Sequence, residues 1–238
     1  MRMRKKKHGK ERLDKCKNYI YTHTGAPLSD PAGEVFGLPG APVYLEVGAG
    51  KGGFAVGMIK QNPSVCYFAL ERVSDCVVLG AEKASTEGVS NALKFMVDTA
   101  DNLTRIFAQG TVDRIFLNFS DPWSKKGYAK RRLTHRRYIA VYLELLKVGG
   151  KLTFKTDNVE LFDFSLEELS ALGIQLDKMT RDLHSSEYNE GNVVTEYEAA
   201  FSAMGTKINM LEFTKCEGMV LEIEKQLSRE RVDYSGRD

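Results

Sequence analysis

Short apolar runs alternate along this chain with longer stretches whose apolar residues recur every three or four positions. VYLEVG at 43–48 is the first run; a glycine-rich stretch follows, then FAVGMIKQN, whose helical spacing stops before Pro63. VCYFALE at 65–71 reads as a second strand, and SDCVVLGAEKASTEG at 74–88 as a helix capped by Ser74 and stopped by Gly88. ALKFMVD at 92–98 predicts a third strand, residues 101–108 a helix, and DRIFLNFS at 113–120 a fourth strand. THRRYIAVYLELLK at 134–147 has helical spacing with Gly149 and Gly150 to end it, and KLTFKTD at 151–157 is a fifth strand. A helix at 158–172, a strand at 174–182, a helix at 194–203 and the strand KINMLEFTK at 207–215 complete the series. Strands separated by helical segments of this length imply crossover units, hence an α/β fold with a mostly parallel seven-stranded sheet and helices on both faces. No repeat or linker divides the chain, so a single domain is expected over 1–238, with a basic N-terminal segment at 1–25 and a tail at 216–238 of unassigned role.

Composition narrows the class. With 238 residues, 42% apolar and 28% charged, the chain can bury a full core. No unbroken apolar run is longer than the six residues of VCYFAL, far short of the roughly 18 that span a bilayer. The basic start MRMRKKKHGKER leads into no apolar core of the kind a secretory signal carries. Four cysteines form no CxxC pair and four histidines are scattered, so no metal site is expected and a reduced, cytoplasmic setting fits. The net charge of +2 conceals an asymmetry: residues 1–12 and 120–137 each carry seven Lys/Arg and one acid, leaving −10 on the rest. Two cationic blocks on an acidic body form an electrostatic footprint for a polyanion.

In a sheet of this kind ligands bind beyond the carboxyl ends of the strands. Those ends carry Glu46 and the run Gly48-Ala49-Gly50-Lys51-Gly52-Gly53, then Glu71, Asp98, Asp121 and Asp157. Gly48, Gly50 and Gly53 satisfy GxGxxG, and Glu71 lies 18 residues beyond Gly53, close to the spacing of an acid that holds a dinucleotide ribose. A pyrophosphate, however, would meet Glu46 just before the glycines. S-adenosylmethionine has no phosphate and carries a sulfonium and an ammonium, so acids beside the loop favour it over a nicotinamide dinucleotide. Glu71 would take the ribose hydroxyls, and Asp98 the exocyclic amine of the adenine.

The stretch NFSDPWSKKGYAKRR at 118–132 places an acid, a proline and the chain's single tryptophan against dense positive charge. Together with YLEVGAGKGGF, FALER, VDTA, FKTDN and TEYE, in this order and spacing, it resembles the bacterial tRNA (guanine-N7-)-methyltransferases over roughly residues 1–215. The resemblance implies a Rossmann-like class I S-adenosylmethionine-dependent methyltransferase fold. It also implies that Glu46, Gly48, Gly50, Glu71, Asp98 and Asp121 line the cofactor pocket, with Asp121 also the catalytic residue. By the same similarity Lys125, Asp157, Thr195, Glu196, Tyr197 and Glu198 contact the substrate, and Gly127, Tyr128, Ala129, Lys130, Arg131 and Arg132 grip RNA. Ser120 departs from the proline of many relatives, and the tail from 217 has no counterpart.

The implied reaction is methyl transfer to nitrogen-7 of a guanine in the variable loop of tRNA. Nitrogen-7 has a free lone pair and needs no base, whereas the developing charge strengthens the base's N–H donors, which a carboxylate such as Asp121 can accept. Lys125, Lys126, Lys130, Arg131 and Arg132 would hold the flanking phosphates. Alternatives stay open at this level. Asp157 is equally readable as a helix cap, Trp123 as packing, His135 as a phosphate contact, and the acceptor as an exocyclic amine or the whole chain as a silent RNA-binding relative. Monomer and homodimer are both compatible with the sequence.

Overall fold

The computed structural model describes residues 9–220 and Ile223; residues 1–8 of the basic start and most of the tail lie outside the described residues. Seven strands, β1 (Val43–Val47), β2 (Cys66–Glu71), β3 (Leu93–Val97), β4 (Val112–Asn118), β5 (Leu146–Thr156), β6 (Lys178–Thr180) and β7 (Asn209–Thr214), pair in the order β3-β2-β1-β4-β5-β7-β6. β1 to β5 pair in parallel, whereas β7 is antiparallel to both β5 and β6, so the sheet is mixed. Helical spacing between two runs of strand predicts a parallel return only if the helix crosses over. Between β6 and β7 the chain makes short helical turns and one helix, then re-enters beside β5 from the opposite end.

Alternation along the strands explains the two layers of core, because successive side chains point to opposite faces. Val43, Leu45 and Val47 of β1 and Phe68 and Leu70 of β2 face one way. They pack with α2 (Pro31–Phe36), α5 (Leu103–Ile106), α6 (Arg136–Leu145) and α7 (Val159–Ala171). Tyr67, Ala69, Phe95 and Phe116 face the other way, against α3 (Gly53–Gln61) and α4 (Ser74–Thr86), with α1 (Gly9–Lys15) adding Leu13 at the rim. The strand order reverses between β1 and β4, the position at which an open α/β sheet has its ligand crevice, outside the carboxyl ends of the strands. α8 (Glu196–Ala203) comes in beside it.

Local differences from the expected elements have identifiable causes. Ser74 begins α4 without capping it; Val73 holds the cap position, and its N–H is taken by Glu71 Oε1 at 2.8 Å. Gly88 does follow α4 in the left-handed region, at φ 60°. α6 ends at Leu145, before the glycines expected to stop it, because Leu146 turns extended; Gly149 and Gly150 lie in β5, where the register with β4 shifts. Residues 101–108 form only a 3-10 turn and the four-residue α5. α2 was not expected, though Asp30 caps it by accepting from Gly33 N at 3.0 Å, Pro31 opens it, and Gly37 closes it at φ 68°. Among the described residues no helix is long and apolar enough to cross a membrane, and no cluster of metal-binding side chains forms.

Candidate active site

The glycine run leaves β1 in left-handed conformations at Gly48, Gly50 and Gly52, which L side chains rarely adopt. At Gly52 an added Cβ would meet the Phe95 ring at 2.6 Å, so this position packs loop to sheet. At Gly50 a Cβ would meet nothing within 4 Å, and its N–H donates to Glu71 Oε2 at 3.0 Å. Glu71 therefore ties the loop to the end of β2, one oxygen on Gly50 N and the other on Val73 N. Asp98, at the end of β3, is held by Thr99 N and Asn102 Nδ2, each 2.7 Å from Oδ1.

Glu46 lies beneath the glycines and is only 1% exposed. Asn118 Nδ2 donates to its Oε1 at 2.9 Å and the Tyr67 hydroxyl to its Oε2 at 3.3 Å. Burial pushes this carboxyl up to about 7, against the two hydrogen bonds and the positive charge of Lys155. Asn118 Oδ1 is buried with no partner among the described residues, an acceptor beside an acid at the crevice floor. Asn118 pairs in register with Lys155 of β5, and Lys155 continues the polar row. Its Nζ donates to Glu198 Oε2 at 2.7 Å, Asn192 Oδ1 at 2.9 Å and Val193 O at 3.1 Å. Burial opposes the charge on Glu198, but Lys155, His184 and Asn192 outweigh it and hold the carboxyl below its usual range.

Beyond β4 the chain turns sharply: Phe119 has φ 51° and Trp123 φ 42°, rare values for residues with a Cβ. Between them Asp121 projects with its side chain 66% exposed, its Oδ2 accepting from Arg72 Nη2 at 3.2 Å. Arg131 lies 5.1 Å from the Trp123 ring centre and 4.7 Å from that of Tyr128, the two rings edge to face at 5.9 Å. Lys125, Lys126, Gly127, Tyr128, Lys130 and Arg131 are exposed and Ala129 is half-buried, in and around the 3-10 helix Lys126–Arg131. Opposite, the Phe119 ring meets Tyr197 at 5.0 Å, and the Tyr197 hydroxyl donates to Asp157 Oδ2 at 3.2 Å. Asp157 is free of the capping role, which Asn158 takes by accepting from Leu161 N at 2.7 Å.

Several residues expected to contact substrate are committed elsewhere. Glu198 is 0% exposed and anchors Lys155. Thr195 caps α8, accepting from Glu198 N at 2.8 Å, and Glu196 pairs with Lys83 on α4. Of that segment Tyr197 is the side chain turned toward Asp157. Arg132 is directed back onto the Asp121 loop, donating to Pro122 O and Trp123 O at 2.9 and 3.2 Å. His135 caps α6 by accepting from Arg137 N at 3.1 Å, and burial pulls its pKa down.

The family model described as a putative methyltransferase matches residues 40–211. A tRNA (guanine-N(7)-)-methyltransferase of Lachnoclostridium phytofermentans is 47% identical over 178 residues, 75% of this chain and 82% of that one. The chain belongs to the tRNA (guanine-N(7)-)-methyltransferase family. Among solved structures the fold is similar to that of an antibiotic-related methyltransferase, at TM-score 0.57 and 17% identity over 81% of this chain and 96% of that one. It is also similar to the 16S rRNA methyltransferase KamB, at TM-score 0.56 and 14% identity over 74% and 88%. In this chain Glu46, Glu71, Asp98 and the glycines stand at the ends of β1 to β3, and Asp121, Asp157 and the exposed cations of the 3-10 helix at the ends of β4 and β5. Sequence reasoning missed Arg72, Asn118 and Lys155, all three inside quoted motifs. A polar residue in an otherwise buried strand was the available signal for Asn118 and Lys155.

Proposed function

We propose that the protein transfers a methyl group from S-adenosylmethionine to nitrogen-7 of a guanine in the variable loop of tRNA. The observation that carries this reading is the juxtaposition at one sheet edge of an acid-lined glycine loop and an exposed carboxylate, Asp121, beside exposed lysine and arginine. The donor set fits the cofactor: Glu46 and the unpartnered Asn118 Oδ1 suit a cationic amino-acid end, and open space above Gly50 admits a ligand. Glu71 and Asp98 would then receive ribose hydroxyls and the adenine edge. When bound, S-adenosylmethionine supplies an electrophilic methyl group on positively charged sulfur.

The chain's own part is orientation and charge. Nitrogen-7 attacks with a free lone pair, so no side chain has to remove a proton before transfer. As the base becomes cationic, its ring N–H and amino group become stronger donors, and a carboxylate at Asp121 binds them more tightly in the transition state than in the ground state. Asp157, with the Tyr197 hydroxyl on one oxygen, would share the base edge. Lys125, Lys126, Lys130 and Arg131 face solvent and suit the phosphates flanking the target. The proposal includes a cytoplasmic setting, where tRNA is processed.

The decisive experiment incubates the protein with S-adenosylmethionine and an unmodified tRNA transcript, then maps methylated nucleosides by mass spectrometry. 7-Methylguanosine at one variable-loop guanine is the expected product. A methyl group on another base would keep the donor and refute the acceptor.

A further inference from the structure

We propose that Arg132 is a positioning residue that latches the Asp121 loop onto the body of the protein and contributes nothing to phosphate binding. The proposal rests on the reading of Asp121 as the acid that receives the guanine. It reverses the role that proximity to Lys130 and Arg131 suggests.

The Asp121 loop has little to hold it. Among the described residues no backbone N–H from Ser120 to Ser124 donates to a backbone carbonyl; Pro122 has no N–H at all. Phe119 and Trp123 sit in the left-handed region, and the Ser120 hydroxyl is buried without a partner. A segment in that condition persists only where its surroundings over-determine it. Arg72 and Arg131 touch only its side chains, at Asp121 and Trp123, whereas Arg132 restrains its backbone, its Nε donating to Pro122 O at 2.9 Å and its Nη2 to Trp123 O at 3.2 Å, the two residues after Asp121. The flat face of the guanidinium rests on Phe164 of α7, 4.3 Å from the ring centre. Nε, Nη2 and one face of the guanidinium are therefore engaged, and the side chain is half-buried, unlike its exposed neighbours Lys130 and Arg131.

Position explains why an arginine is placed here. Arg132 ends the 3-10 helix that carries the exposed cations, its own N–H closing on Ala129 O at 3.0 Å. The backbone thus belongs to the RNA-facing segment while the side chain belongs to the catalytic loop. A phosphate grip on Lys126, Lys130 and Arg131 is transmitted through one residue to the carbonyls beside Asp121.

The test compares Arg132→Lys and Arg132→Ala with Arg131→Ala, measuring kcat and KM for tRNA, the salt dependence of tRNA binding, and acrylamide quenching of Trp123. That tryptophan is the only one in the chain, so its fluorescence reports this loop alone. For both Arg132 variants kcat should fall by about 10²-fold, the scale of a misplaced catalytic group. KM and the salt slope should hold, and quenching should rise. Lysine keeps the charge but cannot reach both carbonyls with a planar fork, so it should not rescue kcat. Arg131→Ala should instead flatten the salt slope by about 0.7 and raise KM for tRNA. A flattened slope with intact kcat in Arg132→Ala, or full activity in Arg132→Lys with unchanged quenching, would overturn the proposal. Binding of S-adenosylmethionine by each variant verifies folding. If the wild type forms no 7-methylguanosine, the reading of the reaction fails, while the quenching and salt-slope arms still decide the role of Arg132.

Discussion

The two sides of the crevice are built by different means. At the ends of β1, β2 and β3 the site is made from backbone and short acids: left-handed glycines, Glu71 tied to two N–H groups, and Glu46 sunk beneath the loop. At the ends of β4 and β5 it is made from long side chains: Arg72 on Asp121, Arg132 on two carbonyls, Lys155 on Glu198, and rings of Phe119 and Tyr197 in contact. A small ligand can be held by a preformed turn, since glycine brings the backbone itself to it. A folded polyanion is larger than any turn, and the surface that meets it needs exposed charge, which must then be anchored from below. The difference makes the first half insensitive to salt and sensitive to the ionisation of Glu46, and the second half sensitive to salt.

Removing Asp121 should give the largest effect. Asp121→Ala should lower single-turnover methylation by about 10²- to 10³-fold at saturating S-adenosylmethionine, the usual loss for one group that stabilises transition-state charge. Near-normal turnover would move the chemistry out of the β4 loop and dissolve the division drawn here.

Next comes the anchor below the acceptor side. Lys155→Met leaves Glu198 buried with His184 and Asn192 but without its ammonium, and should cost about 3 kcal/mol of stability, the lower end for breaking a buried pair. Thermal unfolding measures that loss. A larger rise in KM for tRNA than in the Kd for S-adenosylmethionine would show that the pair serves the α8 side; equal effects on both would merge the two halves.

Glu46 tests the cofactor side through pH. Its carboxyl is pushed to about 7, so between its ordinary value near 4.5 and about 7 the folded chain holds the proton longer than the unfolded chain does. Its contribution to stability is therefore present at low pH and lost as pH rises through that window, about 3 kcal/mol in all. A cationic ligand end needs the ionised form, so the affinity for S-adenosylmethionine should improve about tenfold per pH unit below 7 and level off above. Glu46→Gln should flatten that profile; an unchanged profile would remove Glu46 from the cofactor's cationic end.

The smallest effect belongs to the rim. With Arg132 committed to the loop, four exposed cations of the 120–137 block remain for phosphate, contributing a slope of about −2.8 in log K against log salt on irregular RNA. Lys130→Ala with Arg131→Ala should remove half of it, roughly a sevenfold change in relative affinity between 50 and 200 mM salt, with cofactor binding untouched. Filter binding across a salt series checks this.

Much was legible in the chain itself. Alternation and spacing located all seven strands and the acids at the ends of the first five, because those acids stand in the local sequence whatever the fold does with them. The glycine loop was readable for the same reason. Asp30, Pro31 and Gly37 also spelled out α2 locally and were overlooked. What the tertiary structure alone decided is which side chains face solvent and which face each other. Lys130, Arg131 and Arg132 are adjacent cations in sequence, yet one turns under the loop onto Phe164 and the others do not. Glu196 and Glu198 are equivalent acids two positions apart, and the helix between them sends one to Lys83 and buries the other on Lys155. Charge type and local spacing are properties of the chain, but burial and pairing depend on elements distant in sequence, and β7 running antiparallel between β5 and β6 is the same lesson at the scale of the sheet.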